Sequence, residues 1–131
     1  MKEINLVCLI EDDPIHVFLS KKYIEMTGVI KNVLIYNNGK VAFDNLKAMF
    51  TSGQELPELI LLDLNMPIWD GWQFLEEFTK IPINKVITIY ILTSSLIKED
   101  LENAEKYGLK GNYIVKPISL AKMKKVLLEM A

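Results

Sequence analysis

Polar side chains that can do chemistry stand directly after four of the five short apolar runs in this sequence. Acids follow the first and third runs, hydroxyls follow the fourth, and a lysine follows the fifth. In chain order they are Glu11, Asp12, Asp13, Asp63, Thr93, Ser94, Ser95 and Lys116. The second run is followed only by Asn37 and Asn38. If the runs are strands that end at one place, these side chains form a single polar cluster.

Carboxylates in such a cluster favour metal-dependent phosphoryl transfer. Adjacent carboxylates repel one another, and burying three of them is costly unless a cation neutralises them. Mg²⁺ suits them, because it binds one or two carboxylates while waters and phosphate oxygens complete its shell. An aspartate can also be a nucleophile and form an acyl phosphate, whose charge a metal, a lysine and a hydroxyl can counter. Asp63, Mg²⁺, Lys116 and Thr93 would supply these parts.

Each of these residues also has an ordinary structural interpretation. Asp13 beside Pro14 is typical of a helix cap, and so are the hydroxyls of residues 93–95. A lone Asp63 is typical of a turn, and a lone Lys116 of a solvated surface. We favour the chemical interpretation because the four groups occur together at four run ends.

The apolar runs are the candidate strands that would position this cluster. Most are nearly continuous in Val, Ile and Leu rather than alternating, which is typical of strands buried on both faces. They cover residues 4–10, 33–36, 59–62, 86–92 and 113–115.

The stretches between the runs have helical spacing and polar caps. We expect the helices to begin at Asp13 with Pro14, after Asn38-Gly39, at Asp70, at Ser94 or Ser95, and at Ser119. Gly28 and Gly108 would end the first and fourth helices. The residues expected to face the core are Ile15, Leu19, Tyr23, Met26, Ala42, Leu46, Met49, Phe74, Leu75, Phe78, Ile97, Leu101, Ala104, Leu120, Met123, Leu127 and Met130.

Strict alternation of strand and helix predicts an α/β fold, a parallel sheet with helices on both faces. The strands of such a sheet end at one edge, and ligands bind there near the switch in strand order. The polar cluster should therefore assemble at that edge.

The composition is that of one globular domain. The chain has 131 residues, of which 50% are hydrophobic and 24% are charged, and its net charge of -2 is unlike that of a nucleic-acid-binding protein. We expect no signal peptide from the residues at its start, and no apolar stretch approaches the ~20 residues of a membrane span. The one cysteine, Cys8, cannot form an internal disulfide. We expect a cytoplasmic domain over residues 1–131, with no output domain, that binds neither nucleic acid nor membrane.

Four motifs resemble those of the response-regulator receiver family of two-component signalling. They are Leu9-Ile10-Glu11-Asp12-Asp13, Leu61-Leu62-Asp63-Leu64-Asn65-Met66-Pro67 with Asp70-Gly71, Ile91-Leu92-Thr93-Ser94, and Val115-Lys116-Pro117. The resemblance extends from Val7 to the last helix, and its most specific part is residues 63–71. It implies a flavodoxin-like (βα)5 fold with a doubly wound sheet of five parallel strands in the order 2-1-3-4-5.

The resemblance also implies a mechanism centred on Asp63. Asp63 would accept a phosphoryl group from a phosphohistidine on a sensor histidine kinase or a histidine phosphotransfer protein. Asp12 would bind Mg²⁺ directly, Glu11 through water, and Asn65 through its backbone carbonyl, with Asp63 completing the metal site. The chain would be a signalling switch rather than an enzyme, with only self-catalysed phosphorylation and dephosphorylation, and would act on a downstream protein that the sequence does not identify.

The remaining implied roles belong to the switch. Lys116 would pair with the phosphoryl oxygens, and its bond to Pro117 is typically cis in the family. Thr93 would move to hydrogen-bond the phosphoryl group, and Tyr113 would turn inward into the vacated space. Ser94 keeps the small side chain that gives access to Asp63.

A few residues depart from the family pattern or have no assigned role. Glu11 stands where an aspartate is often found, a tolerated variation. Trp69 puts an indole in the loop after Asp63, where it would form a docking contact or pack locally, and Trp72 has no clear role. His16, the only histidine, is expected on the first helix away from the cluster, as a surface residue or part of a kinase-docking face.

Three other functions are weighed against the switch. An aspartyl-phosphate hydrolase of the haloacid-dehalogenase type would need two aspartates separated by one residue, whereas position 11 is glutamate and the acids are adjacent. A nucleotide or flavin binder would need a glycine-rich loop after the first run, where residues 11–14 are acidic. A phosphorylation-independent interaction module would keep the fold without needing the intact cluster.

Overall fold

The apolar runs of the sequence form the strands of one sheet, and the stretches between them form helices. The computed structural model describes residues 3–130. The elements are β1 Ile4–Ile10, α1 Pro14–Thr27, β2 Ile30–Tyr36, α2 Gly39–Thr51, β3 Leu59–Asp63, α3 Gly71–Phe78, β4 Thr88–Thr93, α4 Lys98–Lys106, β5 Tyr113–Val115 and α5 Leu120–Met130.

The five strands are parallel and lie in the order β2-β1-β3-β4-β5, which confirms the predicted doubly wound flavodoxin-like fold. All five residues of the central strand β3 are buried, as its uninterrupted apolar sequence predicts. The register pairs Ile10 with Leu62 and Asp63 with Leu92, so β1, β3 and β4 end close together. We call the edge at which the strands end the carboxyl edge.

Side chains alternate between two apolar layers, one on each face of the sheet. Cys8 and Ile10 of β1 join the layer beneath α2, α3 and α4. Val7 and Leu9 join the layer beneath α1 and α5. The Cys8 thiol is fully buried, and this burial raises its pKa.

Two strand starts differ from the sequence prediction, and β3 and β4 each end one residue later than predicted, at Asp63 and Thr93. β4 begins at Thr88 rather than Val86, because its ladder with β3 starts where Thr88 pairs with Leu59. Val86 precedes that ladder and is 88% exposed. β2 begins earlier than predicted, at Ile30, which pairs with Ile4 of β1.

Four of the five predicted helix starts are confirmed. Asp13 Oδ1 accepts hydrogen bonds from the amides of Ile15 and His16, and Asp70 Oδ1 accepts one from that of Gln73. Asn38 and Ser119 make the corresponding bonds to the amides of Val41 and Lys122. Gly28, with φ 72°, ends α1 as predicted, and Gly108 follows α4 with the same φ.

The start of α4 differs from the prediction. The Thr93 hydroxyl donates to the Ser95 carbonyl at 2.7 Å, and the Ser95 amide donates back to that hydroxyl at 3.3 Å. This closed turn keeps residues 93–95 out of the helix, so neither Ser94 nor Ser95 is its cap. The N-cap is Ile97, which offers no capping side chain.

Several apolar residues predicted to face the core are exposed instead. On α1 the buried residues are Ser20 and Ile24, which are four apart, and Ile15 and Met26 lie on other sides of the helix. On α4 the buried residue is Ala104, whereas Ile97 and Leu101 are exposed. The remaining predicted inward residues are buried or half-buried.

Membrane-spanning structure is not found among the helices of residues 3–130, since each is too short or too polar to cross a bilayer.

Candidate functional site

Backbone hydrogen bonds bring the polar residues together at the carboxyl edge. The Glu11 amide donates to the Tyr36 carbonyl at 3.0 Å, which extends the β1–β2 ladder by one residue. The Lys116 amide donates to the Thr93 carbonyl at 2.8 Å, which extends the β4–β5 ladder. The side chains that follow the strands therefore start from fixed backbone positions on one side of the sheet.

Three carboxylates converge there, as the sequence predicted. Glu11, Asp12 and Asp63 each offer an oxygen, and these oxygens all lie within 4.8 Å of one another. Glu11 and Asp63 are buried, whereas Asp12 is exposed. The cluster is thus open to solvent on the side of Asp12 and closed on the side of Glu11.

The ammonium group of Lys116 lies against the two buried carboxylates. Its Nζ is 2.6 Å from Glu11 Oε1 and 3.1 Å from Asp63 Oδ1. Burial lowers the pKa of Lys116, but the contacts with the two carboxylates together raise it above its ordinary value. Lys116 is therefore a cation at neutral pH and partly neutralises the cluster.

The charged form of Asp63 is less stable in the folded protein than that of a free aspartate. Burial and, after it, the nearby Glu11 carboxylate raise its pKa to about 6, although the ammonium of Lys116 acts in the opposite direction. A carboxylate in this state gains from any additional cation that approaches it.

The cluster fits a divalent cation with oxygen ligands. Three carboxylates face one ammonium, so negative charge is in excess. Within residues 3–130, the buried Glu11 Oε1 accepts no aligned hydrogen bond, although Lys116 Nζ lies close to it. Hard oxygens at this spacing, with one carboxylate open to solvent, are what Mg²⁺ prefers. The Asn65 amide lies 3.4 Å from Asp63 Oδ1, so the backbone of Asn65 adjoins the cluster.

The two residues predicted for the switch occupy neighbouring strands. Thr93 ends β4 with its side chain buried and its hydroxyl bonded to Ser95. Tyr113 is half-buried on β5, pairs with Ile91, and adjoins Ala104 of α4 along a surface groove.

His16 was wrongly expected to lie away from the cluster. Its Nδ1 is 3.3 Å from Lys116 Nζ, 3.6 Å from Glu11 Oε1 and 3.7 Å from Asp13 Oδ2. The spacing along the chain could have indicated this position. His16 comes five residues after Glu11 and therefore lies in the first turn of a helix that begins at the carboxyl edge. The confirmed cap at Asp13 fixes that first turn.

The loop between β3 and α3 is held against α2. The Gly39 amide donates to the Trp69 carbonyl at 3.1 Å, and a Cβ on Gly39 would lie 2.8 Å from that oxygen. The Trp69 ring lies 5.3 Å from the Phe43 ring, and Lys40 Nζ lies 5.2 Å from the Trp69 centroid. Trp69 thus packs locally against α2.

Trp72 connects α3 to α4, a contact that the sequence did not predict. Its Nε1 donates to Asp100 Oδ1 at 3.1 Å, and its ring stacks on Tyr107 at 6.2 Å between centroids. Both partners belong to the α4 region, which follows the strand that ends at Thr93.

The bond between Lys116 and Pro117 is cis, as the resemblance implied.

Comparisons with known proteins agree with this architecture. Residues 7–128 match the response regulator receiver domain family. The chain is 29% identical to the probable methanogenesis regulatory protein FilR2 of Methanothrix harundinacea over 95% of this chain and 80% of that protein. Several other curated relatives are longer, and the chain spans half of their length or less.

Solved structures give the same result. The crystal structure of a two-component response regulator from Cytophaga hutchinsonii is 30% identical, with a TM-score of 0.81 over 98% of this chain and 99% of that one. The Mn²⁺-bound form of response regulator Rcp1 is 26% identical, with a TM-score of 0.73 over 95% of this chain and 90% of that one. With its sheet order, its acidic carboxyl edge and its matched residues 7–128, this chain belongs to the response regulator receiver domain family.

Proposed function

We propose that this receiver domain is a phosphorylation switch in which Asp63 accepts a phosphoryl group from a phosphohistidine. The observation that carries the proposal is the buried Asp63 carboxylate, which lies 3.1 Å from Lys116 Nζ and within 4.8 Å of two other carboxylates. Receiver domains interact with histidine kinases or phosphotransfer proteins and with downstream targets. The phosphohistidine of such a protein is the donor that we propose.

The transfer is a substitution at phosphorus. An oxygen of Asp63 attacks the phosphorus atom, the bond from phosphorus to the imidazole nitrogen breaks, and its electron pair stays on that nitrogen. The product is an acyl phosphate on Asp63. Lys116 is placed to pair with a phosphoryl oxygen, because its Nζ already contacts the oxygen that would become phosphorylated or its neighbour.

Receiver domains bind Mg²⁺ at an acidic pocket, and the present cluster fits that ion. We propose that Glu11, Asp12, Asp63 and the backbone carbonyl of Asn65 hold it, with Glu11 acting through water. When bound, the ion would offset the negative charge of the carboxylates and of the phosphoryl oxygens. The solvent-exposed Asp12 side of the cluster is the side from which both could enter.

We propose that Thr93 and Tyr113 transmit the change. The Thr93 hydroxyl would exchange its bond to the Ser95 carbonyl for one to the phosphoryl group, which would open the turn before α4. Tyr113 borders the groove beside α4 and could turn inward. The phosphoryl group would thus favour one of two conformations, and a separate protein would bind that conformation.

The test is modification by a small phosphoryl donor. With Mg²⁺, acetyl phosphate should add one phosphoryl group to the wild type, measured by intact mass, and should leave Asp63→Asn unmodified. Asp44→Asn is the matched control, because this exposed aspartate lies on α2 and forms a surface ion pair with Lys40. Equal modification of the wild type and Asp63→Asn would reject Asp63 as the acceptor.

The intact cluster disfavours a phosphorylation-independent interaction module, and partner binding separates the two functions. Beryllofluoride with Mg²⁺ mimics the phosphorylated state. A switch should capture its target more strongly as the beryllofluoride form than as Asp63→Asn, whereas an interaction module would bind equally in both forms.

A further inference from the structure

We propose that His16 is a positioning residue for phosphoryl transfer and acts through Lys116. The inference rests on the function proposed above for Asp63 and adds a side chain that the resemblance did not assign. His16 lies on α1, and its Nδ1 is 3.3 Å from the Lys116 Nζ that also contacts Asp63.

Three groups surround the Lys116 ammonium. Glu11 Oε1 is 2.6 Å away, Asp63 Oδ1 is 3.1 Å away and His16 Nδ1 is 3.3 Å away. The contact with His16 has the geometry of a hydrogen bond. The two carboxylates form ion pairs with the ammonium, and one of its three N–H donors is directed at the imidazole nitrogen.

The direction of this bond defines the state of the imidazole. A lysine ammonium only donates, so this hydrogen bond uses the neutral tautomer of His16, in which Nδ1 accepts and the ring proton is on Nε2. His16 is therefore a neutral acceptor for Lys116, beside two acceptors that are carboxylates. A neutral partner orients the ammonium without adding negative charge to a cluster that already has an excess.

The backbone that carries the imidazole is itself held in place. Asp13 Oδ1 accepts from the Ile15 and His16 amides, which fixes the first turn of α1. The ring is about one-third exposed, whereas the Lys116 side chain beneath it is 10% exposed. A cavity of only about 10 Å³ remains between α1 and residues 116–118, which leaves little space for Lys116 to take another path.

The proposed role follows from what Lys116 must do during transfer. When Asp63 becomes an acyl phosphate, the attraction that holds the ammonium against that carboxylate falls. The bond to His16 persists, because it does not depend on the charge of Asp63. His16 would therefore keep Nζ directed at the phosphoryl oxygens instead of letting it collapse onto Glu11.

The test compares two substitutions of similar size. His16→Leu removes the acceptor, whereas His16→Asn keeps an acceptor, since Oδ1 of asparagine is as far along the side chain as Nδ1 of histidine. We expect His16→Leu to lower the rate constant for phosphorylation by saturating acetyl phosphate roughly fivefold, the equivalent of one neutral hydrogen bond of about 1 kcal/mol. His16→Asn should return that rate constant to within about twofold of wild type.

A background without the lysine gives the second readout. In Lys116→Met, His16→Leu should cause no further decrease, because the histidine acts through the missing ammonium. Equal fold-decreases in the two backgrounds, or a wild-type rate in His16→Leu, would overturn the inference. A rate in His16→Asn as low as that of His16→Leu would also overturn it.

The two proposals fail in distinguishable ways. If Asp63 is not the acceptor, the wild type itself will not be phosphorylated there, whatever stands at position 16. If Asp63 is the acceptor and His16 has no role, the wild type and His16→Leu will react alike. Melting temperatures of the variants, measured beside the rates, identify any loss that comes from unfolding.

Discussion

The surroundings of Asp63 only partly stabilise the negative charge of its carboxylate. It is buried next to Glu11, and Lys116 is shared between the two carboxylates. The same features that would make Asp63 a ready acceptor therefore reduce the stability of the metal-free domain.

This cost predicts a pH-dependent effect of Asp63→Asn. The folded protein holds the Asp63 proton more tightly than the unfolded chain does, so stability falls as pH rises from about 4 to about 6 and stays low above that range. A pKa change from 3.8 to about 6 corresponds to at most about 3 kcal/mol. Urea unfolding without Mg²⁺ should show Asp63→Asn more stable than wild type by up to that amount at pH 7.

The difference in the free energy of unfolding between the wild type and Asp63→Asn should vanish near pH 4, where both folded proteins are uncharged at position 63. Asp44→Asn should be indifferent to pH in the same comparison, since it alters an exposed pair. If the wild type is more stable than Asp63→Asn at pH 7, the charged form of Asp63 does not destabilise the folded protein.

The sequence predicted the residues of the acidic cluster and Lys116 correctly, but it did not predict that His16 lies beside them. Glu11 and Lys116 directly follow β1 and β5, Asp12 is the next residue after Glu11, and Asp63 ends β3, so recognising the strands is enough to place them. The distance between His16 and Lys116 depends on where α1 begins and on how this helix packs against the sheet. Chain spacing can rank such a residue as close, but only packing determines that its ring reaches the ammonium.

Two glycines lie very close to the backbone of the loop that connects β3 to α3. Gly39 and Gly71 both lie against this loop so closely that a Cβ would be 2.8 Å from a carbonyl oxygen. Between them Ile68 has φ 69°, a left-handed conformation that is costly for a β-branched residue, and is 76% exposed. The loop is thus held in shape by its neighbours.

Gly71→Ala should disturb the acceptor strand itself. Its Cβ would lie 2.8 Å from the Asp63 carbonyl oxygen and 3.1 Å from the Leu64 Cα, so backbone must move. We expect a loss of roughly 1–3 kcal/mol in urea unfolding, together with weaker beryllofluoride binding. Gly53→Ala is the control for the clash, because open space surrounds its new Cβ, although its own φ is positive at 75°. It should cost about 1–2 kcal/mol and leave beryllofluoride binding unchanged.

Trp72→Phe should loosen the attachment of α3 to α4. The substitution removes the donor to Asp100 and keeps an aromatic ring against Tyr107, so we expect a loss of about 1 kcal/mol in urea unfolding. In a double-mutant cycle with Asp100→Ala, the two effects should fall short of additivity by a similar amount. Full additivity would mean that the hydrogen bond contributes nothing.

Element types were predictable because apolar runs and helix caps are local signals. Asp13, Asp70 and Ser119 cap helices as predicted. The start of α4 was not predictable, since the Thr93–Ser95 turn competes for the residues that resemble a cap. The inward faces of α1 and α4 were also partly wrong, because Ile15, Ile97 and Leu101 are apolar and yet exposed.

For the molecule as a whole, ligand binding at the carboxyl edge should be visible as stability. A ligand that binds only the folded state at 100 times its dissociation constant adds about 2.7 kcal/mol. For a domain of this size that is roughly a 10 °C rise in melting temperature. We expect beryllofluoride with Mg²⁺ to raise the melting temperature of the wild type by that order, measured by differential scanning fluorimetry.

Two neighbouring aspartates supply the comparison. Asp12→Ala removes a member of the acidic cluster and should lose most of the rise. Asp13→Asn keeps a capping oxygen for α1 and alters a residue outside the three-carboxylate group, so it should retain the rise. A full rise in Asp12→Ala would remove Asp12 from the proposed ligands.

The fold of the whole domain was the most predictable feature, since five apolar runs alternating with helices leave few arrangements. The order of strands came from the resemblance rather than from the runs themselves, and the structure confirms it.

Because Cys8 is buried, we expect the folded protein not to react with thiol reagents. Its sulfur is inside the layer beneath α2 and α3, and its raised pKa keeps it in the unreactive thiol form. A cysteine introduced at an exposed position, such as Val86, would therefore be the single attachment point for a spin label or fluorophore. Pairs of such labels would allow distances across the domain to be followed without first removing a native thiol.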